Sequence, residues 1–266
     1  MLLQTKVDIE KAPFSIRPQD KVLFVGSCFA DKMGQHMTDD MFLTTVNPYG
    51  VMYNPASVLH TIERVLQSEE GNCFDVAVIT LGTNHVYILK ETGEIVDNCQ
   101  KRPQRLFTEK ELTLEECSGY LCQAISLLKE RNENVRVIFT VSPIRYAKYG
   151  FHESQLSKAT LLLATREVEK RCGAYYFPAY EIVNDELRDY RFYAPDMLHP
   201  SEQAAEYIYE RFQEACLSQE SLQMIREWQP IRQALSHRPF NPNSDEYKAF
   251  RAKAENDRDA FLKRWR

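Results

Sequence analysis

Four short apolar runs set the limits on what this chain can become. They are KVLFVG (21–26), FDVAVITLG (74–82), VRVIFTVSP (135–143) and AYYFP (174–178), and each stops at a glycine or a proline. A strand with one wet face alternates apolar and polar residues, whereas these runs are apolar on both faces, as strands covered on both sides are. Between them lie stretches with helical signals. One begins at Cys28 and runs to 37. A second is opened by Asn54 as a cap and Pro55 at the first helical position, and continues to 67. A third, 109–131, has acidic residues early and Lys129 and Arg131 late. A fourth, 154–172, is closed by Gly173, and a fifth, 201–216, is capped by Ser201. HVYILK (85–90) and EIVDN (94–98) flank Glu91-Thr92-Gly93 and read as a hairpin. Strand–helix alternation at this spacing predicts an α/β fold: a three-layer α/β/α sandwich, flavodoxin-like, around a parallel sheet of about five strands. The one break in the pattern is Arg238-Pro239-Phe240-Asn241-Pro242. It divides a main domain, 1–238, from a helical extension, 239–266, expected to pack back on it.

Composition narrows the partners. The chain has 266 residues, 44% hydrophobic and 27% charged, enough for a substantial core. A net charge of −5 provides no basic field for phosphates, so nucleic acid is not expected as a partner. The N-terminus has two leucines and then charges, without the apolar run of a secretory signal. No apolar segment reaches the roughly 20 residues that span a bilayer. The expectation is a cytoplasmic protein with no membrane partner. Seven cysteines, an odd number with no C-x-x-C pair, read as free thiols. H-E-x-x-H, Walker and G-x-G-x-x-G strings are absent, so neither a metal nor a nucleotide cofactor is expected.

In an open α/β sheet the ligand sits beyond the carboxyl ends of the strands, so the residues just after each run carry the chemistry. After the first comes Ser27, which is either a helix cap or a nucleophile whose oxyanion the helix amides would hold. Its neighbour Cys28 is a second nucleophile, a thiol at a helix N-terminus, although it is placed to pack between helix and sheet. After the second run come Asn84 and His85, residues for a turn or for a substrate. Asn98 follows the hairpin. Arg145 follows the third run, with a fork of donors for an anionic group or for a salt bridge. After the fourth comes Tyr193, and then Asp196 and His199, three apart before a helix. A serine needs a base, and the base needs a carboxylate to fix its tautomer.

The string Gly26-Ser27-Cys28-Phe29-Ala30 resembles the defining motif of the GSCFA family, a bacterial group similar to the SGNH/GDSL hydrolases. The likeness runs over about 20–235 and takes in VNPYGVMYNP (46–55), LGTNHVY (81–87), VDNCQKRP (96–103), TVSPIR (140–145) and YRFYAPDMLHPS (190–201). It implies a triad of Ser27, His199 and Asp196. It also implies an oxyanion hole from the amides of Ser27 and Gly50 and the side chain of Asn84. Two departures stand out. The nucleophile block reads Gly-Ser-Cys-Phe instead of a Gly-Asp-Ser-type string, and His85 stands where an Asp usually follows the Asn. The activity implied is a serine esterase or deacetylase acting on a small acyl ester, with O-acylated carbohydrate as the substrate class. His85, Asn98, Arg145 and Tyr193 would contact that substrate. The alternatives are an acyltransferase on the same triad and a non-catalytic carbohydrate- or acyl-binding module.

Overall fold

The computed structural model describes residues 5–68, 73–97, 99 and 102–266. Its centre is a parallel five-stranded sheet. The strands are β1 (Lys21–Gly26), β2 (Leu43–Val46), β3 (Val76–Leu81), β7 (Arg136–Val141) and β8 (Tyr175–Tyr176), in the order β2-β1-β3-β7-β8. The order steps outward from β1 in both directions, which places a topological switch point beside β1 and β3. A smaller antiparallel sheet, β5-β4-β6, joins β4 (His85–Leu89), β5 (Ile95–Val96) and β6 (Phe107–Glu111).

Alternation along the buried strands splits the core in two. Val22 and Phe24 of β1, Val76 and Val78 of β3 and Ile138 of β7 face one side. There they meet α1 (Cys28–Asp39) and α6 (Glu202–Cys216). Leu23 and Val25, Ala77, Ile79 and Leu81, and Val137, Phe139 and Val141 face the other. There they meet α2 (Pro55–Gln67), α3 (Leu114–Arg131) and α4 (Phe151–Cys172). This is the expected three-layer sandwich. A short turn, α5 (Ala179–Glu181), leads from β8 toward the loop before α6.

One expectation about elements needs correction, and one strand was not expected. The stretch from 109 does not begin a helix. Residues up to Glu111 form β6, paired with β4 from Leu89↔Phe107 to His85↔Glu111. The helix starts at Leu114 because Thr113 and Glu116 close a reciprocal capping box, each bonding the other's amide. The polar run LTTV of β2 is also a strand, on the sheet edge, where partial exposure tolerates threonine.

Beyond α6 lie α7 (Gln219–Ser236) and α8 (Asp245–Trp265). Trp228 of α7 and Phe261 and Trp265 of α8 are buried in the same core as α1. The indole of Trp228 donates to the Asp39 carbonyl at 2.7 Å, and that of Trp265 to Glu227 at 3.0 Å. Gln19 Nε2 reaches the Trp265 carbonyl at 3.4 Å. The final helix thus seats on the first layer through aromatic burial and a few directed bonds. All seven cysteines are free.

Replacing Trp228 with Ala should lower stability by about 3–5 kcal/mol, because it opens a cavity and orphans the Asp39 carbonyl. Chemical denaturation measures this, and a loss under about 1 kcal/mol would mean that α7 and α8 sit loosely. The capping box gives a smaller test: Thr113→Ala should cost about 1 kcal/mol.

Candidate active site

The junction of β1 and α1 is set by a close approach of two strands. Gly26 has φ +145°, and a Cβ built there would lie 2.0 Å from the Thr80 carbonyl oxygen on β3. Only glycine permits this contact. The Gly26 amide donates to Asn47 Oδ1 at 2.9 Å, and its carbonyl accepts from Met52 at 2.8 Å. Asn47 also donates from Nδ2 to Asp31 of α1 at 2.6 Å. The loop after β2 is thereby laid across the ends of β1 and α1.

Ser27 follows and is fully enclosed, at 0% exposure. Its amide donates to Thr80, to the carbonyl at 3.1 Å and to Oγ1 at 3.0 Å. Its own hydroxyl accepts from the Phe29 amide at 3.2 Å as the cap of α1, and lies 3.0 Å from Thr80 Oγ1. Cys28, the first helical residue, is partly exposed. Burial raises its thiol pKa, opposed by the amides of Cys28 and Phe29 and by Lys158.

The three donors expected to form the oxyanion hole are each occupied. The Ser27 amide is held by Thr80. The Gly50 amide closes a turn onto the Asn47 carbonyl at 2.8 Å. Asn84 Nδ2 donates to the Leu112 carbonyl at 2.8 Å, fastening β4 to the end of β6. The Asn84 amide donates to Ser157 Oγ at 3.0 Å. Asn84 is buried at 3% exposure, so its side chain serves the fold at this place.

Asp196 and His199 come together as a pair. His199 Nδ1 lies 2.5 Å from Asp196 Oδ2. Asp196 Oδ1 accepts from the amides of Leu198 at 2.9 Å and His199 at 3.0 Å. Those amides, then the imidazole, hold the Asp196 carboxyl down at about 2. The carboxylate is therefore ionised and fixed in orientation, the arrangement that sets a histidine's tautomer with Nδ1–H toward the acid. The loop itself is pinned by Arg145, whose amide donates to the Leu198 carbonyl and whose Nη1 donates to the Met197 carbonyl, both at 3.0 Å. The Arg145 guanidinium also lies over the rings of Phe151 at 4.1 Å, Tyr193 at 5.6 Å and Tyr190 at 5.9 Å. Arg145 and Tyr193 share a wall of a cavity of about 300 Å³ beside the Asp196–His199 loop.

α1 and α6 bring the two halves to one corner. Lys32 pairs with Glu202. Lys32 is one turn below Cys28 on the same helical face, and Glu202 is the first residue of α6, three after His199. No hydrogen bond joins Ser27 to His199 among the described residues, and the Ser27 hydroxyl is turned to β3 instead.

Other expected contacts disperse. His85 is buried, stacked on Tyr149 at 3.8 Å, with Nδ1 3.4 Å from the Glu109 carboxylate. It lines a second cavity, about 420 Å³, with Tyr53, Tyr87, Cys99, Tyr146 and Lys148. Asn98 lies outside the described residues.

Two groups were missed at the sequence level. Lys158 of α4 is buried, with Nζ donating to the carbonyls of Gly82 at 2.6 Å and Ser142 at 2.7 Å. Burial lowers its pKa to about 7. Tyr146 has a buried hydroxyl with no hydrogen-bond partner among the described residues. That hydroxyl would stand 2.3 Å from a Cβ added at Gly82. The available signal for Lys158 was its place on the buried stripe Ser154, Ser157, Leu161, Ala164, Thr165, Val168, where a lysine is out of character.

The model of the GSCFA family matches residues 21–75 and 72–212, and that of the GSCFA domain protein, C-terminal domain, matches 228–265. Among solved structures, the chain is similar to a putative GDSL-like lipase from Parabacteroides merdae. The two are 12% identical with a TM-score of 0.51, over 76% of this chain and 98% of that one. It is also similar to a catalytic mutant of Axe2, an acetylxylan esterase from Geobacillus stearothermophilus. That pair is 13% identical with a TM-score of 0.50, over 76% and 96% of the chains. At such identities the likeness is one of fold, an esterase-type α/β sandwich. No curated protein matches this chain. With family models covering most of its length and both ends of its sheet-and-helix core, the chain belongs to the GSCFA family.

Proposed function

We propose that this protein hydrolyses small acyl esters, with His199 as general base oriented by Asp196 and a nucleophile at the junction of β1 and α1. The observation that carries the reading is the 2.5 Å bond from His199 Nδ1 to a carboxylate already fixed by two amides. Such a carboxylate keeps the proton on Nδ1 and stabilises the imidazolium once Nε2 has taken a proton. A hydrolytic cycle uses that imidazole twice. It first accepts the nucleophile's proton and returns it to the leaving alcohol, and then accepts a proton from the water that cleaves the acyl-enzyme.

The resemblance names the Ser27 hydroxyl as nucleophile. In that role it would first have to leave Thr80 and the Phe29 amide. The substrate class that fits best is a small acyl group on a carbohydrate alcohol. The acetylxylan esterase likeness and the aromatic walls of the two flanking cavities, lined by Tyr190 and Tyr193 and by Tyr53, Tyr87, Tyr146 and Tyr149, favour it. Aromatic rings offer apolar faces to sugar rings and hydroxyls to their oxygens. No helix among the described residues is long and apolar enough to cross a membrane.

His199→Ala should lower kcat/KM for p-nitrophenyl acetate by about 10²–10⁴-fold, with the melting temperature nearly unchanged because the side chain is half exposed. Undiminished turnover would remove His199 from the chemistry. Asp196→Asn should lower kcat by a similar order, since the amide no longer holds the tautomer. Because Asp196 ionises at about 2, below the ordinary value, it stays charged at every higher pH of assay. The Asp196 charge is therefore in place throughout the ordinary range of assay pH. The sign for stability follows: a depressed carboxyl contributes fully above its unfolded value of about 3.9, and the contribution is lost only as pH falls from there toward about 2. An Asp196→Asn protein with undiminished kcat would contradict this assignment.

A further inference from the structure

Two nucleophilic side chains adjoin at the end of β1, and only one is placed to attack. We infer that the thiol of Cys28, rather than the hydroxyl of Ser27, attacks the acyl carbonyl, so that the covalent intermediate is a thioester; this rests on the ester-hydrolase reading above.

Ser27 is consumed by structure. It is 0% exposed, and its hydroxyl caps α1 on the Phe29 amide while paired with Thr80 Oγ1. To attack, it would have to abandon the cap and turn away from β3. Cys28 is not the cap of α1 and is not paired with Thr80. It is the first residue of α1, is partly exposed, and shares a helical face with Lys32. Lys32 pairs with Glu202 at the start of α6, three residues beyond His199. Cys28 and Lys32 thus share a face of α1, and that face is tied to the helix that follows the His199 loop.

The surroundings of Cys28 supply what a thiol mechanism needs. The Tyr146 hydroxyl is buried and has no partner among the described residues, and burial, then the nearby Cys28 and Tyr53, keep it protonated. It is a donor with nothing to donate to until a carbonyl oxygen arrives. Lys158, fixed between the ends of β3 and β7, sets a buried amine close enough for its charge to favour the thiolate. The amides of Cys28 and Phe29 act in the same direction. Burial and the Asp31 carboxylate nevertheless hold the resting thiol protonated, so a base is required, and His199, oriented by Asp196, is the base that the proposed function supplies.

The steps balance. His199 Nε2 takes the Cys28 proton as Sγ bonds to the acyl carbon, and the carbonyl electrons move to oxygen, which the Tyr146 hydroxyl stabilises. The carbonyl re-forms, the carbon–oxygen bond of the ester breaks, and the alkoxide takes the proton from His199 to leave as alcohol. Water, losing a proton to His199, adds to the thioester, and collapse releases the carboxylic acid and returns the proton to Cys28. The net reaction is ester plus water to acid plus alcohol.

The test uses the full chain with p-nitrophenyl acetate, quenched in acid during turnover and mapped by peptide mass spectrometry. The expected result is an acetyl group on Cys28 that neutral hydroxylamine removes, as it removes thioesters and not oxygen esters. Cys28→Ala should lose turnover by roughly 100-fold or more with its melting temperature retained. Cys28→Ser should move any trapped acetyl to a hydroxylamine-resistant ester. Tyr146→Phe should lower kcat by about tenfold with little change in KM. An acetyl group on Ser27, or a folded Cys28→Ala protein with undiminished turnover, would overturn the assignment while leaving a His199-dependent esterase standing. Turnover that survives both Cys28→Ala and His199→Ala would remove this whole site from the chemistry, and an unaltered protein with no turnover at all would overturn the hydrolase reading with it. Should Cys28→Ala not fold, the mapping on the unaltered protein decides alone.

Discussion

The contact of Gly26 with the Thr80 backbone is the constraint from which the candidate site follows. Bare backbone against backbone lets β1 and β3 approach until the Ser27 amide reaches both oxygens of Thr80. That approach fixes where α1 begins, and a helix whose first turn is fixed presents its amides in one direction. A methyl group at Gly26 would force the strands apart and turn the start of α1 with them. Asn47 works from the other side, with one carboxamide bonded to both the Gly26 amide and Asp31. The junction is therefore clamped at three points, and rigidity of this kind is what a catalytic group needs, since about 1 Å of misplacement is costly.

The Asp196–His199 pair is held by different means. Its loop is half exposed. Its order comes from local hydrogen bonds: the two amides on Asp196, the Ala194 amide on the His199 carbonyl at 2.7 Å, and the two bonds from Arg145. Such a loop is well ordered internally, yet small displacements of it relative to α1 break few bonds. With the roles proposed above, the start of α1 and the exposed Asp196–His199 loop would be suited to closing on a substrate that enters between them.

What could be read from the sequence follows burial. β1, β3 and β7 were legible because both their faces are covered, which leaves an uninterrupted apolar string. β2 was not, because an edge strand such as LTTV is half wet and looks like loop. β6 was misread because Phe107–Glu111 carries acidic residues just ahead of a helix, where they suit the dipole. Its pairing with β4 overrides that preference. At the site, Asp196 and His199 were legible because their whole geometry is local, three residues in one turn. Tyr146 was not, because it reaches the strand ends from another element and nothing near it in the chain announces it, and Lys158 left only the signal of a lysine on a buried helical stripe.

Ser27 and Cys28 show how adjacency leaves the choice of nucleophile open. A serine after a strand-ending glycine satisfies two roles at once, cap and attacker, and the sequence does not say which one it has taken. The structure gives Ser27 the cap, and a cap hydroxyl is spent on the helix amide it accepts from. The departure in the motif carried the hint: lining up Gly-Ser-Cys-Phe with Gly-Asp-Ser on their glycines sets Ser27 opposite the aspartate, another capping residue, and Cys28 opposite the serine. On that register a Cys28 nucleophile would keep the geometry of the Gly-Asp-Ser block and change its chemistry, from an oxygen that needs strong activation to a sulfur that needs less. The thiol's greater intrinsic nucleophilicity suits a corner whose three expected oxyanion donors are already committed to Thr80, Asn47 and Leu112.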